Sequence, residues 1–220
     1  MERERGDREG AVSMKTVVII PAAGSGTRMK SDGSKLFLML GDMPVLAHTL
    51  LTFDRAAKVD EVIVAAREED ILLIWDMISE FGIQKVSKII NGGLSRTESV
   101  GKALDEVSDD TSLVAIHDGA RPLIEPELID AAISDATRCG AVTLGVRAKD
   151  TIKRVGVNGA IIETLERDSL YHIQTPQVFR ANIIRDAYEA LFGKAGGRQS
   201  LTGDCKNNPQ SPTATAPLKK

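Results

Sequence analysis

This chain has no long apolar run, few cysteines and little excess of one charge, and each shortage removes a class of protein. No apolar stretch approaches the roughly 20 residues that a membrane-spanning helix needs. The opening "MERERGDREG" lacks the apolar core of a secretory signal. The reading is therefore a cytoplasmic protein with no membrane partner. Cys139 and Cys205 are the only cysteines, and neither has a CxxC partner or a His cluster beside it. Nothing indicates a zinc site or a disulfide framework. With 28 Lys and Arg against 31 Asp and Glu the net charge is -3. Such a balance gives no general pull towards nucleic acid, so any anion site must be local.

What the chain does have is the material for one core, with 220 residues of which 42% are hydrophobic. Short β-branched runs stand at 16–20, 61–66, 86–90, 112–117 and 141–146. Most are apolar on successive positions, which suits strands buried on both faces of a mostly parallel sheet. Helical spacing predicts helices over about 44–57, 68–81, 96–107 and 126–138. Strand and helix in alternation read as α/β. Ligands of such sheets sit at the carboxyl ends of the strands, where three polar loops emerge: "PAAGSGTRMKSDGSK", "NGGLSRTES" and "HDGARP".

Two stretches break the alternation. Asn158-Gly159 lies between two alternating segments, a strong hairpin signal, and predicts a protruding β-arm over 150–168. Its alternative is an ordinary hairpin insertion. From about 193 to 220 the composition is rich in Gly, Ser, Pro and Lys without an apolar period, which predicts a disordered tail. A charged tail of similar kind is expected over 1–13, leaving one domain over 14–192.

The opening loop matches neither standard phosphate cradle. A dinucleotide fingerprint would need glycine where Met29 stands, and no P-loop Gly-Lys-Ser/Thr follows. Gly24 and Gly26 still permit close backbone approach, and Arg28 and Lys35 can spread positive charge over a polyphosphate. In the second loop, Ser95 and Glu98 have capping-box spacing, so a helix should start near Arg96 with its N-terminus at the same edge.

These residues carry a resemblance. "PAAGSGTRM", "SKLF", "NGGLSRTESV", "AIHDGARPL", "KDTIKRV" and "ERDSLYHIQTPQVF" resemble, in order and spacing, the 2-C-methyl-D-erythritol 4-phosphate cytidylyltransferases of the non-mevalonate isoprenoid pathway. The match runs from about 15 to 192. It implies a Rossmann-like, three-layer nucleotidyltransferase fold. The implied reaction joins CTP to a polyol phosphate, giving a CDP-alcohol and pyrophosphate. The ribitol-5-phosphate cytidylyltransferases share much of the pattern and are the nearest alternative; a CTP-binding remnant with weak catalysis is another.

The resemblance also implies roles. Arg28 and Lys35 map to the transition-state stabilisers, and backbone from Ala22 through Ala23 and Gly24 to Gly26 to the triphosphate cradle. Gly92, Gly93, Arg96 and Ser99 fall where the family contacts the cytidine and its ribose, with Gly119 and Ala120 also at the nucleotide. Asp118 is the candidate magnesium ligand; its alternative is to cap its loop through the Gly119 and Ala120 amides. The β-arm implies a homodimer in which Thr151 and Arg167 complete a neighbour's polyol-phosphate site, with Arg121, Lys153 and Thr175 as further substrate contacts. The attacking phosphate is largely dianionic at neutral pH and needs no general base, so the burden falls on positioning and charge. His117 reads as structural, and His48 as lying in a helix with no partner in view.

Two departures are visible. Ser34 stands where the family usually has proline, which implies a less rigid loop. After about Phe192, only "LTGDC" is similar to the family's "TDDAS"-like segment and nothing matches its lysine-bearing "IKIT"-like segment. The reading is a chain truncated or altered beyond that point.

Overall fold

The computed structural model describes residues 14–24 and 35–192. The two tails, together with Gly26, Arg28 and Ser34, lie outside the described residues.

In chain order the strands are β1 (Thr16–Pro21), β2 (Met39–Leu40), β3 (Met43–Pro44), β4 (Glu61–Ala66), β5 (Val86–Asn91), β6 (Leu113–Ile116), β7 (Ala141–Arg147), β8 (Lys153–Val155), β9 (Ile161–Thr164) and β10 (Tyr171–Arg180). The helices are α1 (Val45–Arg55), α2 (Ile71–Glu80), α3 (Arg96–Asp105), α4 (Pro126–Cys139) and α5 (Ala181–Phe192). Six strands form the central sheet in the order β5-β4-β1-β6-β10-β7. β1, β4, β5 and β6 run parallel, and β10 lies antiparallel between β6 and β7.

The two-residue period of the strands separates two cores. Val18, Ile20, Val62, Val64 and Leu113 face α1, α2 and α4, where Leu50, Phe53, Ile74 and Ile129 meet them. Val17, Ile19, Ile63, Ala65 and Val114 face α3 and α5 through Val100, Ala103 and Ile184. The result is three layers, as expected. Each fully buried large aliphatic side chain contributes about 1.5–3 kcal/mol relative to exposure, which is why β1 tolerates no polar residue between Val17 and Ile20.

The predicted strands and helices are present, with adjustments. The stretch at 68–81 divides into a 3₁₀ turn, Glu68–Asp70, and α2. α4 starts with Pro126 in its first turn and stops at Gly140, whose φ of 83° suits glycine. β10 and α5 were not foreseen. β10 carries Gln174, Thr175, Pro176 and Gln177 in mid-strand, and its register shifts there; that polar and proline content hides a strand from any test of alternation. The 150–168 arm is present as the separate β8–β9 ribbon. Among the described residues, no helix is long and apolar enough to cross a membrane.

Candidate functional site

The sheet order reverses at β1. From β1 the chain moves outward through β4 to β5, then returns to the other side of β1 as β6. The loops leaving β1 and β6 therefore diverge at a topological switch point, where open α/β sheets hold their ligands.

The three loops meet there in pairs. A Cβ placed on Gly92, after β5, would lie 2.5 Å from the Ala23 Cβ after β1, so Gly92 lets the first and second loops touch. Leu36, 5% exposed, is buried beneath the far end of the first loop. A Cβ on Gly119 would stand 3.3 Å from Leu36 Cδ2 and 3.2 Å from Ile20 Cγ2. That packing seats the 3₁₀ turn Lys35–Phe37 against the third loop, and Lys35 with it. Arg96 Nε, opening α3, donates to Asp118 Oδ1 at 2.8 Å, and Arg121 Nε donates to Oδ2 at 3.0 Å. One carboxylate thus ties the second loop to the third.

Partial burial works to raise the Asp118 carboxyl. The Arg96 and Arg121 guanidiniums outweigh it and hold the group below the usual carboxylate range. Asp118 is an anion at neutral pH. Arg121 also bonds Gln174 of β10.

The second loop is organised by α3. The Ser95 hydroxyl accepts the Glu98 N–H at 3.1 Å, as the capping box requires. Glu98 returns its carboxylate to the Leu94 N–H at 2.9 Å, one residue earlier than the motif's usual partner. Ser99 is buried beneath the loop, its oxygen 2.9 Å from both the Gly93 N–H and the Ser95 carbonyl. Ser99 shapes the loop from below, and a Cβ on Gly93 would collide with the Glu98 side chain. The two glycines are small because the loop packs on itself and on Ala23.

Several expectations need correction. The Ala22 N–H already donates to the Ala65 carbonyl at 2.7 Å, extending the β1–β4 ladder, so it is unavailable to a triphosphate. His48 does have a partner, since its Nε2 lies 2.7 Å from the Leu40 carbonyl of the β2–β3 hairpin. Gly26 and Arg28 lie outside the described residues.

His117 is buried at 1% exposure. Its Nε2 faces the Arg121 carbonyl at 3.1 Å and its Nδ1 faces the Thr175 hydroxyl at 3.0 Å. A carbonyl only accepts, so Nε2 carries the hydrogen and Nδ1 accepts from Thr175. Burial pushes the imidazole down to about 4, and it is neutral at pH 7. The Thr175 oxygen is also 3.4 Å from the Asp118 N–H.

The arm residues are not brought to this cluster. Thr151 is exposed where the arm begins, and Lys153 donates to Thr164 across the ribbon at 2.6 Å. Arg167 donates to the Lys149 carbonyl at 3.3 Å. Among the described residues no hydrogen bond or ion pair joins Thr151, Lys153 or Arg167 to the three loops. Gln174, unnamed by sequence reasoning, enters the site through Arg121; only its place in "IQTPQ" beside Thr175 signalled it.

Among the described residues no group of three or more His, Cys, Asp or Glu could form a self-sufficient metal cage. Asp118 offers one carboxylate at this edge, and magnesium usually takes one or two, completing its octahedron with phosphate oxygens and water.

A family model described as 2-C-methyl-D-erythritol 4-phosphate cytidylyltransferase matches residues 16–203. A protein of that name from Alkaliphilus metalliredigens is 42% identical over 180 residues, covering 81% of this chain and 75% of its own length. One from Clostridium botulinum is 42% identical over 177 residues, covering 80% and 77%. The crystal structure of 4-diphosphocytidyl-2C-methyl-D-erythritol synthase from Anaerococcus prevotii superposes with a TM-score of 0.73 at 29% identity, covering 86% of this chain and 81% of that one.

Proposed function

This chain belongs to the 2-C-methyl-D-erythritol 4-phosphate cytidylyltransferase family, and we propose that the three-loop crevice over β1 and β6 is where its reaction takes place. The enzyme transfers CMP from CTP to 2-C-methyl-D-erythritol 4-phosphate, releasing pyrophosphate, in isoprenoid biosynthesis. Ribitol 5-phosphate is disfavoured as acceptor, because the relatives and solved neighbours carry the methylerythritol name.

One observation carries the assignment of the site. Asp118 is gripped by Arg96 of one loop and Arg121 of another at the switch point of the sheet. Two guanidiniums meet on this edge and the turn that carries Lys35 packs on the same loop through Leu36, where an acceptor dianion must approach a triphosphate against like-charge repulsion.

Lys35, with Arg28, stabilises the charge that develops as the acceptor phosphate attacks the α-phosphate of CTP. Backbone from Ala23 through Gly24 to Gly26 holds the triphosphate. Gly92, Gly93 and Arg96, with Gly119 and Ala120, form the wall against the nucleotide, and Ser99 supports it. Arg121 holds the polyol phosphate; Thr175, expected to touch it as well, instead spends its hydroxyl hydrogen on His117 Nδ1 and backs the turn. Asp118 would hold magnesium together with the phosphates, and the ion would supply further neutralisation of their charge. Thr151, Lys153 and Arg167 project from the body on or beside the arm, so they complete the site of a second copy in a homodimer. The exposed apolar side chains of the arm support that pairing.

The test is pyrophosphate release by the purified chain with CTP, magnesium and 2-C-methyl-D-erythritol 4-phosphate, with ribitol 5-phosphate in parallel. Release with methylerythritol phosphate is expected. A folded chain that binds CTP without releasing pyrophosphate would be a nucleotide-binding remnant.

A further inference from the structure

The turn that presents Asp118 and Arg121 is braced from behind by a buried polar chain. His117 Nε2–H reaches over the turn to the Arg121 carbonyl at 3.1 Å. Its Nδ1 accepts the Thr175 hydroxyl at 3.0 Å, and the Thr175 oxygen lies 3.4 Å from the Asp118 N–H. The turn's own bond runs from the Arg121 N–H to the Asp118 carbonyl at 3.1 Å. Thr49 of α1 holds the middle of the turn, donating to the Gly119 carbonyl at 2.9 Å. Phe53 lies with its ring centroid 4.8 Å from the imidazole, so the ring is packed as well as bonded.

A buried histidine would serve the core no better than a leucine, since burying polar nitrogens has a cost that bonding only offsets. Here both side-chain bonds go to segments that carry site residues, the 118–121 turn and the Gln174–Thr175 part of β10. The Thr175 bond lies just past Ile116–Gln177 in the β6–β10 ladder, where that pairing gives way to the site.

We propose that His117 is a positioning residue for the transfer reaction: by bonding the Arg121 carbonyl and the Thr175 hydroxyl together, it sets the Arg121 side chain in register for the acceptor phosphate, with the Asp118 carboxylate held beside it. The role rests on the cytidylyltransferase reading given above. His117 touches no substrate. Its loss should disturb the acceptor more than the nucleotide, because its bond to the turn ends on Arg121, the acceptor contact, while Thr49 holds the Gly119 carbonyl of the nucleotide wall independently.

Three variants separate the two bonds. His117→Leu removes both. His117→Gln keeps a donor near the Nε2 position for the Arg121 carbonyl, and His117→Asn keeps an acceptor near the Nδ1 position for Thr175. Steady-state kinetics with CTP, magnesium and 2-C-methyl-D-erythritol 4-phosphate are measured well below each variant's melting temperature, with calorimetric titration of CTP beside them. His117→Leu is expected to lower kcat/KM for the acceptor by about 10- to 100-fold, the scale of a misplaced reacting group, while CTP binding stays within about threefold. His117→Gln should recover most of that loss and His117→Asn less. Hydrogen exchange of the Arg121 amide, which closes the turn onto the Asp118 carbonyl, should be slower in the Gln variant than in the Asn variant, a comparison that holds even where the Leu variant fails to fold.

Equal activity in all folded variants, parallel loss of acceptor and CTP affinity, or a loss that follows melting temperature without rescue by Gln would each overturn the role. Equal exchange rates in the Gln and Asn variants would overturn the clamp itself. A parent chain without turnover would instead overturn the functional reading, and this role with it.

Discussion

The crevice and the arm are built on opposite principles. Beneath the crevice, Val17, Val18, Ile19 and Ile20 are each 0% exposed, and among the described residues each of the three loops above touches another. In the arm every residue of β8 and β9 is exposed. The arm holds its shape by local means: Gly159 at a φ of 79°, the Asn158 side chain accepting the Ala160 N–H at 3.1 Å, and the Arg154–Glu163 ion pair. A two-stranded ribbon is marginal alone. Ile161 at 64% exposure and Ile162 at 67% supply an apolar surface that a second copy would cover. Leu165 at the base of the arm is half-buried. A buried sheet positions charge accurately within one chain, and an exposed ribbon leaves its charged side chains facing outward.

That contrast breaks first at Lys35. Lys35→Ala should lower kcat by about 100- to 1,000-fold, the scale of removing a preorganised transition-state donor. CTP affinity by calorimetry should stay within about threefold, and equal losses in both would remove the transition-state role.

Acid should unsettle the crevice before the arm. Burial holds His117 at about 4, below the ordinary 6.5, so the unfolded chain takes up this proton first. Its contribution is intact above about pH 6.5 and is lost as the pH falls towards 4, on the order of 3 kcal/mol in all. Urea unfolding at pH 7 and pH 4.5 checks this, and the difference should shrink in His117→Gln.

Arg167→Ala should reduce kcat/KM for the acceptor by about 10- to 100-fold with CTP binding preserved, as loss of a phosphate-positioning contact does. Mixing it with Lys35→Ala tests the arm across subunits. Mixed dimers that regain no activity would confine the arm to its own chain.

Gly92→Ala should destabilise the fold by about 1–3 kcal/mol, the usual range for overpacking, because the new methyl meets Ala23 at 2.5 Å. The smallest change in fold stability should come from Ile162→Ser, within about 0.5 kcal/mol for an exposed site. The same substitution should shift a homodimer towards monomer in light scattering, and an unchanged mass would place the dimer contact elsewhere.

The parallel strands and their helices were legible because each buries apolar residues at a regular period. The hairpin was legible because Asn-Gly selects its turn. β10 was hidden by polar residues in mid-strand that serve the site, Thr175 to the imidazole of His117 and Gln174 to Arg121. At the site, Lys35 and Asp118 could be picked from glycine context and strand ends. That Ser99 works from below its loop, and that the Ala22 N–H is committed to Ala65, depended on partners many residues away.

By itself the sequence determined the α/β alternation, the three loops at one sheet edge, the arm and the family, since these follow from local periodicity, turn chemistry and contiguous motifs. Only the tertiary structure decided how the loops lock together: Gly92 on Ala23, Leu36 on Gly119, Arg96 and Arg121 on one carboxylate, and His117 behind the turn. Each of those contacts joins residues on different elements, and the energy that selects it exists only once the sheet has brought them within reach.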